Sequence, residues 1–303
     1  MSDIKLFRIV DGQVAELAGE GFTLEKSLQS LIEANLETFL GVRFLASEYS
    51  TGARHRGRID SLGIDENGSP VIIEYKRSSN ENIINQGLFY LNWLLDHKAE
   101  FQLLVMDRLG PDEAKRIEWS ACRLVCIAGD FTNYDEHAVE QINRNIDLIR
   151  YRRFGDELLL FEMVSAVTDS RTEPAQQTAA PTSQPKGFEE YFEDAGTELT
   201  DLYESLRAYL LSLGDDVQEK QLKFYVAFRR IRNFACVEIH PKSNNLVVFL
   251  KVDPDTVDFD GDLQLRDVRN IGHLGTGELE LRLSSIDELR KAEPLFTRSY
   301  ENS

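Results

Sequence analysis

The sequence predicts an α/β protein: a first domain in which a mixed sheet is flanked by helices, joined to a smaller α+β domain. Three observations carry this reading. Short β-rich runs are interleaved with segments of helical spacing, a strong turn signal at Asp65-Glu66-Asn67-Gly68 couples two of the runs, and from Asp169 to Lys186 apolar periodicity stops. That stretch, DSRTEPAQQTAAPTSQPK, scatters Pro174, Pro181 and Pro185 among Ser, Thr, Gln and Ala. It reads as a flexible linker between one domain at 1–168 and another at 187–303, each of a size that suits one core.

In chain order, Phe22 to Leu40 is expected to be a helix, because Leu24, Leu28, Leu31, Ile32, Leu36 and Phe39 fall on one apolar stripe. Arg43 to Tyr49, Gly57 to Asp65 and Pro70 to Lys76 are short and β-rich, the last two forming a hairpin. Helical spacing returns from Asn80 to Asp96, with Ile83, Ile84, Phe89, Trp93 and Leu94 as its apolar groups. Next come an expected buried strand, Phe101 to Met106, a polar helix, Pro111 to Trp119, and a strand, Arg123 to Ala128. A hairpin leading into strands joined through helices implies a sheet that is antiparallel at one side and parallel beyond it. Ile146 to Phe154 and Glu157 to Val164 form a terminal hairpin turning at Gly155-Asp156. In the second domain Gly187 to Leu213 and Val217 to Phe228 read as helical. Strands at Ala235 to His240, Leu246 to Val252 and Glu278 to Leu283, then a helix from Ser285 to Ala292, complete it.

Composition excludes several classes. The 303 residues are 42% hydrophobic and 28% charged, unlike a disordered or collagen-like chain. No apolar run approaches the roughly 20 residues of a bilayer span, and MSDIKLFRIVDG lacks the basic-then-apolar order of an export signal, so no membrane partner and a cytoplasmic location are expected. Cys122 and Cys126 lie four apart in a strand-like run and Cys236 stands alone, which predicts neither disulfides nor a thiolate zinc site. A net charge of −18 argues against nonspecific coating of nucleic acid. Against that background Arg43, Arg54, Arg56 and Arg58 with His55 form a basic strip, read either as a nucleic-acid contact or as solvated decoration.

The chemistry concentrates in Gly57-Arg58-Ile59-Asp60 and Val71-Ile72-Ile73-Glu74-Tyr75-Lys76. Alternation along a strand puts Glu74 and Lys76 on one side and Ile73 and Tyr75 on the other. If the hairpin pairs as its turn suggests, Asp60 comes within reach of Glu74. Two acids and an ammonium then converge on a hard, oxygen-lined position suited to magnesium or manganese and phosphate oxygens.

Asp60 followed by Glu74-x-Lys76 resembles the PD-(D/E)XK nuclease superfamily, with a restriction-endonuclease-like fold. GRIDSLGIDENGSPVIIEYKR together with Gln86 and Tyr90 is similar to the NucS-type endonuclease catalytic domain and its RecB-like relatives, over roughly Phe22 to Asp130. The resemblance implies that Asp60 and Glu74 bind Mg2+ or Mn2+, that Lys76 assists the attacking water, and that Gln86 orients phosphate or water. Ile59 stands where the family often has proline. Such families also carry a glutamate on the first helix, for which Glu25, Glu33 and Glu37 compete. Phase favours Glu25, on the flank of the apolar stripe, with Glu33 and Glu37 expected to point away.

Gln86 and Tyr90 share a helix face. Tyr90 joins Arg54, Arg56 and Arg58 as a candidate nucleic-acid contact, with core packing as the equal alternative for its ring. Phe224, Tyr225, Phe228, Arg229, Arg230 and Arg232 interleave aromatic and basic groups near an expected helix end, as a grip on a single strand or as core with a solvated rim. Gly272-x-x-Gly275-x-Gly277 has no helix after it, Arg269 spoils an EF-hand reading of the acid-rich segment that starts near Asp253, and the five histidines lack ligand spacing. The expected function is divalent-metal-dependent endonucleolytic cleavage, DNA preferred. The alternative is a noncatalytic nucleic-acid-binding or protein-interaction module retaining the fold. A homodimer or protein partner would be held through the second domain.

Overall fold

The computed structural model describes residues 4–52, 56–77, 82–167 and 187–303. The chain divides into two compact units, 1–172 and 173–303. The expected linker, Asp169 to Lys186, lies outside the described residues.

The first unit opens with a hairpin, β1 (Leu6–Val10) and β2 (Gln13–Leu17), turning at Asp11 and Gly12. Both turn residues have positive φ, 49° and 78°, as a two-residue turn matched to strand twist requires. After β3 (Gly19–Glu20), the single helix expected over 22–40 is two: α1 (Glu25–Ala34) and α2 (Leu36–Leu40). Asn35 leaves helical geometry between them and its side chain donates to the Leu31 carbonyl at 3.0 Å. Leu28, Ile32 and Leu36 of the stripe are buried, while Leu24 and Leu31 are exposed.

The central strands lie close to where the sequence puts them: β4 (Val42–Ser50), β5 (Arg58–Asp65) and β6 (Pro70–Lys76). The hairpin turn is built by Asp65, whose Oδ1 accepts from the amides of Asn67 and Ser69 at 2.9 and 2.8 Å. Then follow α3 (Ile83–Asp96), α4 (Lys98–Leu109) and α5 (Pro111–Lys115) before β7 (Arg123–Ala128). The expected strand at Phe101 to Met106 is therefore helix α4. Phe101 and Val105, one turn apart, face the core, while Leu103 and Met106 are 59% and 46% exposed. The apolar run wraps the helix instead of alternating across a sheet.

After α6 (Asn133–Glu140), β8 (Asn145–Phe154) and β9 (Leu158–Val167) make the terminal hairpin. The sheet runs β3-β8-β7-β6-β5-β4 with β9 on the other side of β8. Pairs β6·β7 and β7·β8 are parallel and the rest antiparallel, so the unit is a mixed sheet flanked by helices. Helices α3 and α4 cover one face through Leu91, Leu94 and Phe101 over Ile72, Leu124 and Leu148. Under the β5–β6 hairpin, the Arg123 guanidinium pairs with Asp147 at 3.0 Å and Asp65 at 3.8 Å, all three buried.

The second unit starts with α7 (Phe188–Asp194) and α8 (Thr197–Ser212). The segment expected to be helical over 217–228 is a hairpin, β10 (Gln218–Gln221) with β11 (Val226–Arg229). Val226 and Phe228 reach the core two residues apart, which is strand spacing. Strands β12 (Asn233–His240), β13 (Asn245–Leu250), β14 (Gln264–Asp267) and β15 (Leu279–Leu283) complete a six-stranded antiparallel sheet ordered β10-β11-β12-β13-β15-β14. Helix α9 (Ile286–Glu301), longer than the expected 285–292, packs Leu289, Ala292 and Phe296 into its core. This unit is α+β.

Candidate active site

The β5–β6 ladder pairs Ile64 with Pro70 through Ser61 with Ile73 and stops there. One residue further out, side chains take over from the backbone. The Asp60 amide donates to Glu74 Oε1 at 3.2 Å, and the Tyr75 amide donates to Asp60 Oδ2 at 3.1 Å. Each carboxylate thus spends one oxygen on the opposite strand. The exchange places the two acids side by side at the end of the hairpin.

Glu74 is 0% exposed, and its other oxygen, Oε2, is buried without a hydrogen-bond partner. Burial first, and then the neighbouring Asp60 charge, push the Glu74 carboxyl up to about 9. Burial likewise raises Asp60, against the pull of the Tyr75 amide and the Lys76 ammonium. Such a pair resists carrying two charges unless a cation joins it. Among the described residues no group of three or more His, Cys, Asp or Glu side chains converges to hold a metal. The orphaned Oε2 and the two hard oxygen donors fit Mg2+ or Mn2+, ions that keep several waters and need only one or two carboxylates.

Lys76 is mostly buried, and its Nζ lies 3.4 Å from Glu25 Oε1 at the first turn of α1. The Lys76 ammonium is close enough to pull on the Asp60 and Glu74 carboxyls, and Glu25 to push on that of Asp60, so the structure brings the four together. Glu33 departs from expectation. Instead of pointing away from the sheet, its Oε1 accepts from Ser61 Oγ at 2.6 Å and from Gln29 Nε2 at 2.9 Å. Residues 25, 29 and 33 advance by only about 40° per step around a helix of 3.6 residues per turn, so all three share the flank that meets β5 and β6. Gln29 was not singled out from sequence. The signal was an amide between Leu28 and Ile32, on the buried side of the stripe.

Gln86, half-buried on α3, donates to the Tyr90 hydroxyl at 3.3 Å, and that hydroxyl accepts from the Arg58 amide at 3.2 Å. Tyr90 is 6% exposed and packs in the core, where its ring leaves no room for a side chain at Gly57: an added Cβ would lie 2.4 Å from Cε1. The expectation of Tyr90 as a nucleic-acid contact is corrected accordingly, since its face is turned inward.

Two members of the basic strip are matched by acids. Arg58 Nε pairs with Glu48 Oε2 at 2.6 Å and Arg43 with Glu113 at 2.6 Å. Burial pushes the Glu48 carboxyl up, but Lys26 and Arg58 outweigh it and hold the group below its usual range. Arg56 is exposed at a positive φ of 51°, and Arg54 lies outside the described residues.

In the second unit the aromatic and basic cluster is consumed by packing. Phe228, Tyr225 and Arg229 are buried, Arg230 pairs with Asp216 at 2.7 Å over the Tyr300 ring, and Arg232 donates to the Asn302 carbonyl. This favours core with a rim over a single-strand grip. No described helix is long and apolar enough to cross a membrane.

Residues 188–303 match the model of a domain of unknown function, DUF5655. A relative from Haemophilus influenzae (strain Rd), described as an uncharacterized protein, is 28% identical over 312 residues, spanning 99% of this chain and 100% of that protein. Among solved structures, a repair endonuclease from Pyrococcus abyssi aligns with 45% of this chain and 51% of its own, at 20% identity and a TM-score of 0.29. EndoMS in a complex with double-stranded DNA aligns with 45% and 47%, at 23% identity and a TM-score of 0.26. The chain spans about half the length of these two solved proteins.

Proposed function

We propose that the first unit is a divalent-metal-dependent nuclease of the PD-(D/E)XK, restriction-endonuclease-like type that hydrolyses DNA phosphodiester bonds. The observation that carries the reading is the reciprocal exchange between Asp60 and Glu74, which leaves a buried carboxylate oxygen unpartnered beside a second acid. Asp60 and Glu74 are the residues that would hold Mg2+ or Mn2+. When bound, the ion supplies Lewis-acid polarisation of the phosphate and charge neutralisation. Lys76, steered by Glu25, directs an ammonium at the same point, where it stabilises charge growing on the phosphoryl oxygens and aligns the attacking water. Gln86, tied to Tyr90 and through it to the Arg58 amide, orients a phosphate oxygen or water from α3. Attack forms a new P–O bond to water as the bond to the leaving sugar oxygen breaks, with a proton passing to that oxygen.

In this reading residues 187–303 form an accessory domain that selects substrate or a protein partner. The test is cleavage of single-stranded, branched and mismatched DNA with Mg2+ or Mn2+ by the full chain. Cleavage is expected with the wild type and lost in Asp60→Asn and Glu74→Gln. Activity that survives both substitutions removes these residues from the chemistry.

A further inference from the structure

Behind Asp60 lies a second polar construction. Gln29 on α1 is 3% exposed, unusual for a side chain that normally faces water. Its Nε2 donates to the Asp60 carbonyl at 2.8 Å and to Glu33 Oε1 at 2.9 Å, with Ser47 Oγ at 3.3 Å, and its Oε1 accepts from Lys26 Nζ at 3.2 Å. Glu33 Oε1 also accepts from Ser61 Oγ at 2.6 Å, and Ser61 Oγ shares a hydrogen bond with the Tyr75 hydroxyl at 3.1 Å. The Tyr75 amide then donates to Asp60 Oδ2 at 3.1 Å. Followed in order, these contacts leave the Asp60 carbonyl and return to the Asp60 carboxylate, closing a ring.

Strand alternation puts Ser61 and Tyr75 on the α1 side of the sheet and Glu74 on the α3 side, so the ring grips Asp60 from behind the pair of acids. Its members Gln29, Ser61 and Tyr75 are buried. Polar groups are kept in such a place only when each is satisfied, and an apolar filling would cost less. What the ring achieves that an apolar filling could not is to fix one residue by its backbone and by its side chain at once.

The geometry points to Gln29 and Glu33 as positioning residues that set the Asp60 carboxylate against Glu74, acting through Asp60 and Tyr75 without touching metal or substrate. The inference rests on Asp60 and Glu74 being the metal-holding pair. Outer-shell hydrogen bonds that orient a ligand typically change metal affinity by about 10–100-fold. Gln29→Leu and Tyr75→Phe are therefore expected to weaken binding on that scale, whereas Glu33→Gln, which keeps an acceptor oxygen for Ser61, stays within about threefold of wild type.

Calorimetric titration of the full chain with Mn2+ alone tests this, with Asp60→Asn as the reference for complete loss. On substrate, the positioning variants should lower kcat with little change in KM. Should Gln29→Leu fail to fold, Gln29→Met decides, since it keeps the length of the side chain and removes the Nε2 donor to the Asp60 carbonyl. If the wild type binds Mn2+ and a folded Gln29 variant binds it as tightly, the positioning role is overturned while the metal pair stands. If the wild type binds no Mn2+, the metal reading itself falls, and the inference with it.

Discussion

Replacing Glu74 by glutamine in the metal-free protein should make the first unit more tolerant of alkaline pH. The carboxyl sits at about 9 in the folded protein against an ordinary 4.5. Below pH 4.5 folded and unfolded chains both hold the proton, and the contribution of this group to stability is complete. Between those two values the folded protein keeps a proton that the unfolded chain releases, so stability drains away by up to about 1.4 kcal/mol for each pH unit. From pH 6 to pH 8 the loss from this one residue reaches about 3 kcal/mol, or roughly 6–12 °C in melting temperature for a unit of this size. Glutamine cannot titrate, yet it still offers an acceptor oxygen to the Asp60 amide. The assay is thermal unfolding of wild type and Glu74→Gln in EDTA at pH 6, 7 and 8, followed by tryptophan fluorescence. The wild type should lose ground to the variant steadily as pH rises. A stability difference that does not move with pH, or one that grows in favour of the wild type, refutes the assignment of a raised carboxyl at this position.

Three other substitutions probe packing, two in the first unit and one in the second. Arg123→Ala takes from buried Asp147 its cationic contact at 3.0 Å and should cost about 3–5 kcal/mol in urea unfolding, whereas removing both charges together should cost less. Gly57→Ala drives a methyl to 2.4 Å from the Tyr90 ring and should cost about 1–3 kcal/mol, with a parallel loss of any Gln86-dependent activity. Gly277 has φ +146° and backbone of Leu250 at 2.6 Å from an added Cβ, so Gly277→Ala should destabilise the second unit by about 1–3 kcal/mol. Both tryptophans, Trp93 and Trp119, lie in the first unit, so circular dichroism should register that last change while the fluorescence transition stays in place.

The hairpin that carries Asp60 and Glu74 was legible because its signals agree: β-rich runs, an Asp-Glu-Asn-Gly turn, and acids at matching distances from it. Phe101 to Met106 was misread because a six-residue run of mainly apolar side chains satisfies a buried strand and a helix equally. Val217 to Phe228 was misread for the converse reason, since a short hairpin with a tight turn at Lys223-Phe224 resembles one interrupted helix. The first hairpin was missed although Asp11-Gly12 between Phe-Arg-Ile-Val and Gln-Val-Ala-Glu-Leu is the usual signature of a two-residue turn. Glu33 could not be placed from phase alone. Its direction depends on how far α1 is rolled against β5 and β6, which the sheet decides and the helix does not.

The swap of amides and carboxylates beyond Ser61 and Ile73 also governs how the protein can change. Asp60 and Glu74 are clasps, each fastening the other's strand where the regular ladder has given out. An alanine at either position would therefore unpin the open end of the hairpin and remove an ionisable group in one stroke, confounding two losses. Amide replacements separate them, because they keep the clasp and discard only the ionisable group. Where selection keeps the fold without the proposed turnover, Asp60→Asn or Glu74→Gln would be reached before any smaller side chain.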